Sequence, residues 1–139
     1  MSETQPEPSP NPPETPAVSP FPAPRFGSID PLQEYFEDRD GNRWSVARLI
    51  DDTRDLPVFD LPLAGLTLSD RPWEGYDLWE LAYHVKKVME ADLSYPILLS
   101  WNGAIADGRH RVLKALATGE TTIKARRMHW RPEPCRKAQ

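Results

Sequence analysis

Arg109, His110 and Arg111 follow directly on Asp107-Gly108, and this run of residue types suits the handling of an anion. The apolar residues before it read as the end of an extended segment and Gly108 as a tight turn. Residues 109–118 then read as a helix with Gly119 just past its end. Val112, Leu113, Leu116 and Ala117 recur at helical spacing and are expected to face inward. The first turn of this helix breaks a rule, because cations crowd the positive end of the helix dipole at a cost of ~0.3–1 kcal/mol per charge. The free N–H groups of that turn point the same way. A phosphate or other anion seated there offsets the repulsion and takes up the donors. On this reading the turn at Gly108 and the cationic run 109–111 make a phosphate or other anion site. A second reading stands beside it: Asp107 is an ordinary N-cap and both arginines face solvent.

The elements that must position this turn are legible on both sides of it. Residues 95–100 form a short apolar strand, and Asn102-Gly103 is a hairpin signal joining it to 104–106. Trp101 is expected to pack across that hairpin. Residues 121–128 give a last strand, and 58–63, bounded by prolines, an edge or first strand. The clearest helix covers 77–91. Asp77 and Glu80 make a capping pattern, and Leu78, Leu81, Ala82, Val85, Val88 and Met89 make a stripe expected to face the core. His84 lies at the stripe's edge and reads as a structural residue. The loop over 67–75 carries Asp70, Arg71 and Trp73; Trp73 either stacks on a ligand ring or pins the loop.

Ahead of this core, Asp30-Pro31 reads as the start of a short helix through Phe36, and Asp40-Gly41-Asn42 as a turn. Ser45 caps a second helix with Val46, Leu49 and Ile50 inward. Asp51, Asp52 and Asp55 form an acidic cluster, which reads more readily as a solvated helix end than as a metal site. Residues 1–27 hold nine of the sixteen prolines and read as a disordered Pro-rich tail. Residues 28–56 are then a helical extension, 57–130 the principal domain and 131–139 a frayed basic tail. The fold class is mixed α/β (α+β).

Composition excludes several classes. The net charge is −4, so there is no global basic signature for nucleic acid. The distribution is uneven: residues 107–139 carry nine cationic against three acidic side chains, net +6, and residues 28–106 carry seven against fifteen, net −8. The single cysteine, Cys135, allows neither an internal disulfide nor a cysteine-based metal site. The three histidines have no metal-ligand spacing, and no metal ligand set is expected. No apolar run approaches the ~20 residues of a membrane span, and no signal peptide is evident, so the expected location is cytoplasmic, away from membrane. P-loop, HExxH and nucleophile-elbow patterns are absent from the sequence.

The run from Tyr95 through Asp107-Gly108-Arg109-His110-Arg111 to Gly119 resembles the core motif of the ParB/sulfiredoxin superfamily. There, strand, turn and strand lead into an Asp-Gly-x-His/Arg-Arg turn that opens a helix, and a further strand follows. Thr121 to Met128 is similar to that closing strand and Leu61 to Leu66 to the opening element, so the resemblance covers roughly residues 58–128. It implies a nucleotide held by its phosphates at 107–111, with ATP or CTP and magnesium as cofactors and hydrolysis or phosphotransfer as the activity. It further implies that Gly108 and the backbone of Arg109 lie against phosphate, that His110 and Arg111 donate to it, and that Asp107 orients His110 or helps hold a metal, which makes Asp107 and His110 the catalytic candidates. Two departures matter. Arg109 stands where sulfiredoxins place their reactive cysteine, which argues against sulfinic acid reduction. ParB partition proteins continue into a helix-turn-helix domain, and this sequence ends before one, so a partition clamp acting alone is not expected. A kinase needs a base, for which Asp60, Asp70 and Glu80 are candidates. Two alternatives remain open. One is a DNA-binding or DNA-nicking protein using Lys124, Arg126, Arg127, Arg131, Arg136 and Lys137. The other is a noncatalytic interaction or inhibitor module with a protein partner on the Pro-rich tail.

Overall fold

The computed structural model describes residues 21–23, 34–69, 71–73 and 76–137. Most of the Pro-rich tail, the Asp30-Pro31 helix start and Asp70 lie outside them. The described chain is mixed α+β: three helices and two sheets.

A hairpin comes first. Strands β1 (Tyr35–Glu37) and β2 (Arg43–Ser45) pair antiparallel with Phe36 opposite Trp44. The turn between them is set locally. Asp38 Oδ1 accepts from the N–H of Asp40 at 3.0 Å and of Asn42 at 2.8 Å, and Gly41 takes the positive φ the reversal requires. The expected helix through Phe36 is therefore corrected at its C-terminal end, where the chain is a strand. Ser45 caps α1 (Val46–Thr53) as expected, its side chain accepting from the N–H of Arg48. Val46, Leu49 and Thr53 are buried, whereas Ile50 is half-exposed rather than inward.

The second sheet has the order β3-β6-β4-β5, from β3 (Phe59–Pro62), β4 (Ile97–Leu99), β5 (Ile105–Asp107) and β6 (Thr122–Arg127). β4 and β5 form the antiparallel hairpin signalled by Asn102-Gly103; β6 runs parallel to β4 and antiparallel to the edge strand β3. The intervening α3 (Arg109–Ala117) is the crossover that a parallel pair needs. All three residues of β4 are buried because the sheet is covered on both faces. On one face Ile97, Leu99, Ile123 and Ala125 pack with Val112 and Ala115 of α3. On the other, Leu98, Ala106 and Met128 pack with Phe36, Trp44 and Leu49. Trp101 joins this second cluster, edge-on to Trp44 at 5.0 Å. The inward face of α3 is Val112 and Ala115; Leu116 and Ala117 are exposed, a one-residue rotation from the expected stripe.

Two further expectations are corrected. The C-terminal segment is tied down through residue 136: Trp44 Nε1 donates to the Pro132 carbonyl at 2.8 Å, and Arg43 and Arg136 form a β-bridge. The helix α2 (Leu78–Glu90) is capped by Asp77, which accepts from the N–H of Glu80 at 2.7 Å, but buries none of its residues. Leu78 is 87% and Met89 73% exposed, with Leu81 and Val85 near half, so the apolar stripe faces out of the domain.

Candidate functional site

β5 delivers Asp107 to the turn, Gly108 reverses the chain at φ 106° and ψ 22°, and α3 begins at Arg109. Gly108 is itself the N-cap, and no side chain caps the helix. Asp107 is not the N-cap, which removes the simplest ordinary reading of the turn. Its carboxylate instead accepts from Arg111 Nη2 at 2.8 Å, while Arg111 Nη1 donates to the Pro96 carbonyl at 2.6 Å. Both partners of this pair are largely shielded, with side chains 18% and 23% exposed. Arg111 thus ties the start of α3 to the end of β5 and the entry of β4. The same approach explains Gly108: a Cβ there would lie 2.6 Å from Ile97 Cγ2 and 2.9 Å from Ile97 Cβ.

His110 faces α2. Its Nε2 lies 2.9 Å from Nδ1 of His84, so a single proton serves the two nitrogens. Trp73 stacks on His84 at 3.7 Å between ring centres and 16° between planes, and on His110 at 5.0 Å and 27°. Tyr76 sits edge-on to Trp73. The result is an aromatic and imidazole stack built by three separate segments beside the uncapped turn of α3. Burial, then the neighbouring His84 and Lys87, push His110 down to about 4, and burial lowers His84 as well. At neutral pH His110 is therefore an uncharged imidazole, a proton acceptor with one N–H to give. Glu34 is held above the usual carboxylate range by burial and by the charge of Asp107.

The turn separates two depressions. The larger, about 590 Å³, is lined by Lys87, Tyr95, Asp107, Gly108, His110 and Arg111 among others. The smaller, about 270 Å³, is lined by Glu34, Pro72, Trp73, Gly108, Arg109 and His110 among others. Four of the five expected site residues, Asp107, Gly108, Arg109 and His110, border the smaller one, and Arg111 borders only the larger. His84 and Glu34 were not among the expected site residues. His84 stands 26 positions before its partner, and no local spacing signals such a pair.

The residues considered for DNA contact are dispersed into intramolecular contacts. Lys124 pairs with Asp60 at 2.6 Å, Arg126 Nε donates to the Leu56 carbonyl at 2.9 Å, and Arg127 Nη2 donates to the Trp101 carbonyl at 3.2 Å. Arg131 lies over the Trp44 ring and 3.9 Å from Asp38. The acidic cluster is similarly shared out, Asp52 to Arg48 and Asp51 to Arg54. Among the described residues no group of three or more His, Cys, Asp or Glu is placed to hold a metal ion. No described helix is long and apolar enough to cross a membrane. Cys135 is exposed; the backbone N–H of Ser45 and the Arg48 guanidinium lower its thiol below the ordinary range. Comparison with protein-family models, with curated proteins and with solved structures gave no match.

Proposed function

We propose that this chain is a nucleotide-binding protein of the ParB/sulfiredoxin type, with the phosphates seated on the first turn of α3 and His110 as the proton acceptor of a hydrolysis or phosphotransfer step. The observation that carries the reading is the placement of His110, held by His84 and Trp73 beside a helix N-terminus that no side chain caps. An uncapped first turn offers N–H donors and the positive end of the helix dipole to an anion. A neutral imidazole at that point can accept the proton of an attacking water or hydroxyl. When His110 donates its Nε2–H to His84, its Nδ1 is the free base. Trp73 supplies an apolar plane of the kind on which a nucleobase stacks. In this scheme Asp107 and Arg111 hold the turn in place, and the phosphate contacts come from the backbone at Gly108 to His110 and from Arg109. The order β3-β6-β4-β5, with α3 crossing between β5 and β6, also accommodates the strand–turn–strand–helix–strand pattern of the resembled family.

The test is calorimetry and thermal shift with ATP, CTP, GTP, ADP and inorganic phosphate, each with and without magnesium. A nucleotide at 100 times its Kd adds ~2.7 kcal/mol of stability. The gain is expected for one nucleotide, weaker for phosphate alone, and lost in His110→Ala. Absence of binding by every nucleotide at millimolar concentration would overturn the reading. The DNA alternative has less support, because Lys124, Arg126, Arg127 and Arg131 each have a partner within the chain: Asp60, the Leu56 carbonyl, the Trp101 carbonyl and Asp38.

A further inference from the structure

His84 on α2 and His110 on α3 each point one ring nitrogen at the other. Nδ1 of His84 and Nε2 of His110 are 2.9 Å apart, the ring centres are 5.2 Å apart, and the planes are 23° from parallel. With the ring centres so far apart for so short a nitrogen contact, the two nitrogens face each other nearly along one line. That is the geometry of an N–H···N hydrogen bond. In a metal site the ligand nitrogens would instead converge on a third point with room for an ion. Trp73 lies flat against His84 at 3.7 Å and 16°, which holds the plane of that ring. The contact carries one proton, and the ring that owns it decides which nitrogen of His110 is bare.

On the reading of the α3 turn as the reacting site, on which this rests, we propose that His110 is the donor and that His84 is a positioning residue: it keeps the lone pair of His110 on Nδ1 and draws protons out of the turn. With His110 as donor, both rings carry their proton on Nε2, the tautomer that an unconstrained histidine side chain prefers. The reverse direction puts both rings in the less favoured Nδ1–H form. The surrounding charges set the way a proton travels. Lys87 and Arg111 face His110, which is the more deeply buried ring, with Asp107 opposing them; Glu80, one turn earlier on α2, faces His84. Positive charge is therefore better placed on His84 than on His110. A water or hydroxyl that gives up its proton forms an N–H bond at Nδ1 of His110. The Nε2–H bond of His110 breaks as that proton crosses to Nδ1 of His84, and His84 releases its own Nε2 proton to solvent. One proton enters and one leaves, so no charge builds up beside Lys87 and Arg111. The pair is reset when Nδ1 of His110 gives its proton to the leaving oxygen. The shared proton then returns to His110, and Nε2 of His84 takes one from water.

Nitrogen-15 NMR of the two imidazoles in the full chain, without nucleotide, reads the tautomers directly. At pH 8 both rings are expected in the Nε2–H form with Nδ1 bare. As the pH is lowered, the first proton is expected to charge His84, while His110 stays neutral and shifts to the Nδ1–H form. These two measurements need no substitution. His84→Phe keeps a flat ring against Trp73 but removes the acceptor, so the two nitrogen signals of His110 move toward each other as its tautomers mix. His84→Asp at pH 8 can only accept, and it restores the Nε2–H form. Packing alone does not explain a loss and recovery of that kind. His110 found as Nδ1–H at pH 8 overturns the proposal. So does a first proton that charges His110, or a His110 tautomer indifferent to His84→Phe. Nucleotide is absent from every arm. A wrong tautomer therefore sinks the relay alone, whereas a chain that binds no nucleotide sinks the reading of the α3 turn and leaves the tautomers as they are.

Discussion

Gly108→Ala separates two roles that a turn glycine can have, conformational freedom and lack of bulk. The residue sits at φ 106°, where an alanine costs roughly 1–2 kcal/mol of backbone strain. The added Cβ also meets Ile97 at 2.6 Å (Cγ2) and 2.9 Å (Cβ), and Ile97 is fully buried in the central strand β4, so it has nowhere cheap to move. Overpacking of that kind adds ~1–3 kcal/mol. The expected total is about 2–5 kcal/mol, a large share of the marginal stability of a domain this size. Gly119→Ala is the internal control. Its φ is 78°, and no atom lies within 4 Å of the added Cβ, so it carries the strain and not the contact. Urea unfolding followed by Trp fluorescence gives both values. The reasoning is refuted if Gly108→Ala costs no more than Gly119→Ala. That result would mean that β4 and α3 part easily, and that Gly108 is there for the approach of a ligand rather than of Ile97.

Three further outcomes follow from the same geometry. His110 has its folded pKa pushed down to about 4, below its ordinary value of 6.5, so the unfolded chain binds the proton more readily. The stability tied to neutral His110 is complete above pH 6.5 and is lost as pH falls from there through 4; His84 adds to the loss in the same direction. The fall in urea midpoint between pH 7 and pH 4.5 is therefore smaller in His110→Gln, and an NMR titration midpoint of 6 or above for His110 would reject the burial argument. Trp44→Phe keeps most of the buried ring but leaves the Pro132 carbonyl without its donor. A loss of about 1–3 kcal/mol is expected, with faster proteolysis of the C-terminal segment; unchanged proteolysis would show that this bond does not hold it. Hydrogen exchange in dilute solution is expected to be faster in α2 than in α1 or α3, because α2 has no buried side chain. Equal protection of the three helices would count against that.

Much of the architecture is written in local chemistry. Asn102-Gly103 specifies the β4–β5 hairpin, Ser45 and Asp77 cap α1 and α2, and Gly108 and Gly119 bracket α3, because each needs only its sequence neighbours to act. The β1–β2 hairpin was not legible. Its strands are three residues each, too short for alternation to show, and Phe36 and Trp44 are buried by Leu98, Ala106 and Met128 from the other end of the chain. Periodicity identified the apolar face of α2 but not its direction, since a stripe states that a face exists and not what covers it. The candidate site divides the same way. The turn 107–111 is a contiguous run and was read directly. Its partners His84, Trp73 and Glu34 come from three segments that converge only in the folded chain.

The weakly buried helix also bears on the function proposed for the α3 turn. α2 meets the domain through His84 to His110, the Trp73 stack, and Lys114 Nζ donating to the Met89 and Ala91 carbonyls at its C-terminal end. None of its residues is fully buried, so α2 excludes less water than α1 or α3 and leans more on these few contacts. On the reading proposed for the α3 turn, a nucleotide that engages His110 adds to these few contacts, so hydrogen exchange in α2 is expected to slow when it binds. A helix with a deeply buried apolar face would be ordered in both states and would show no such change.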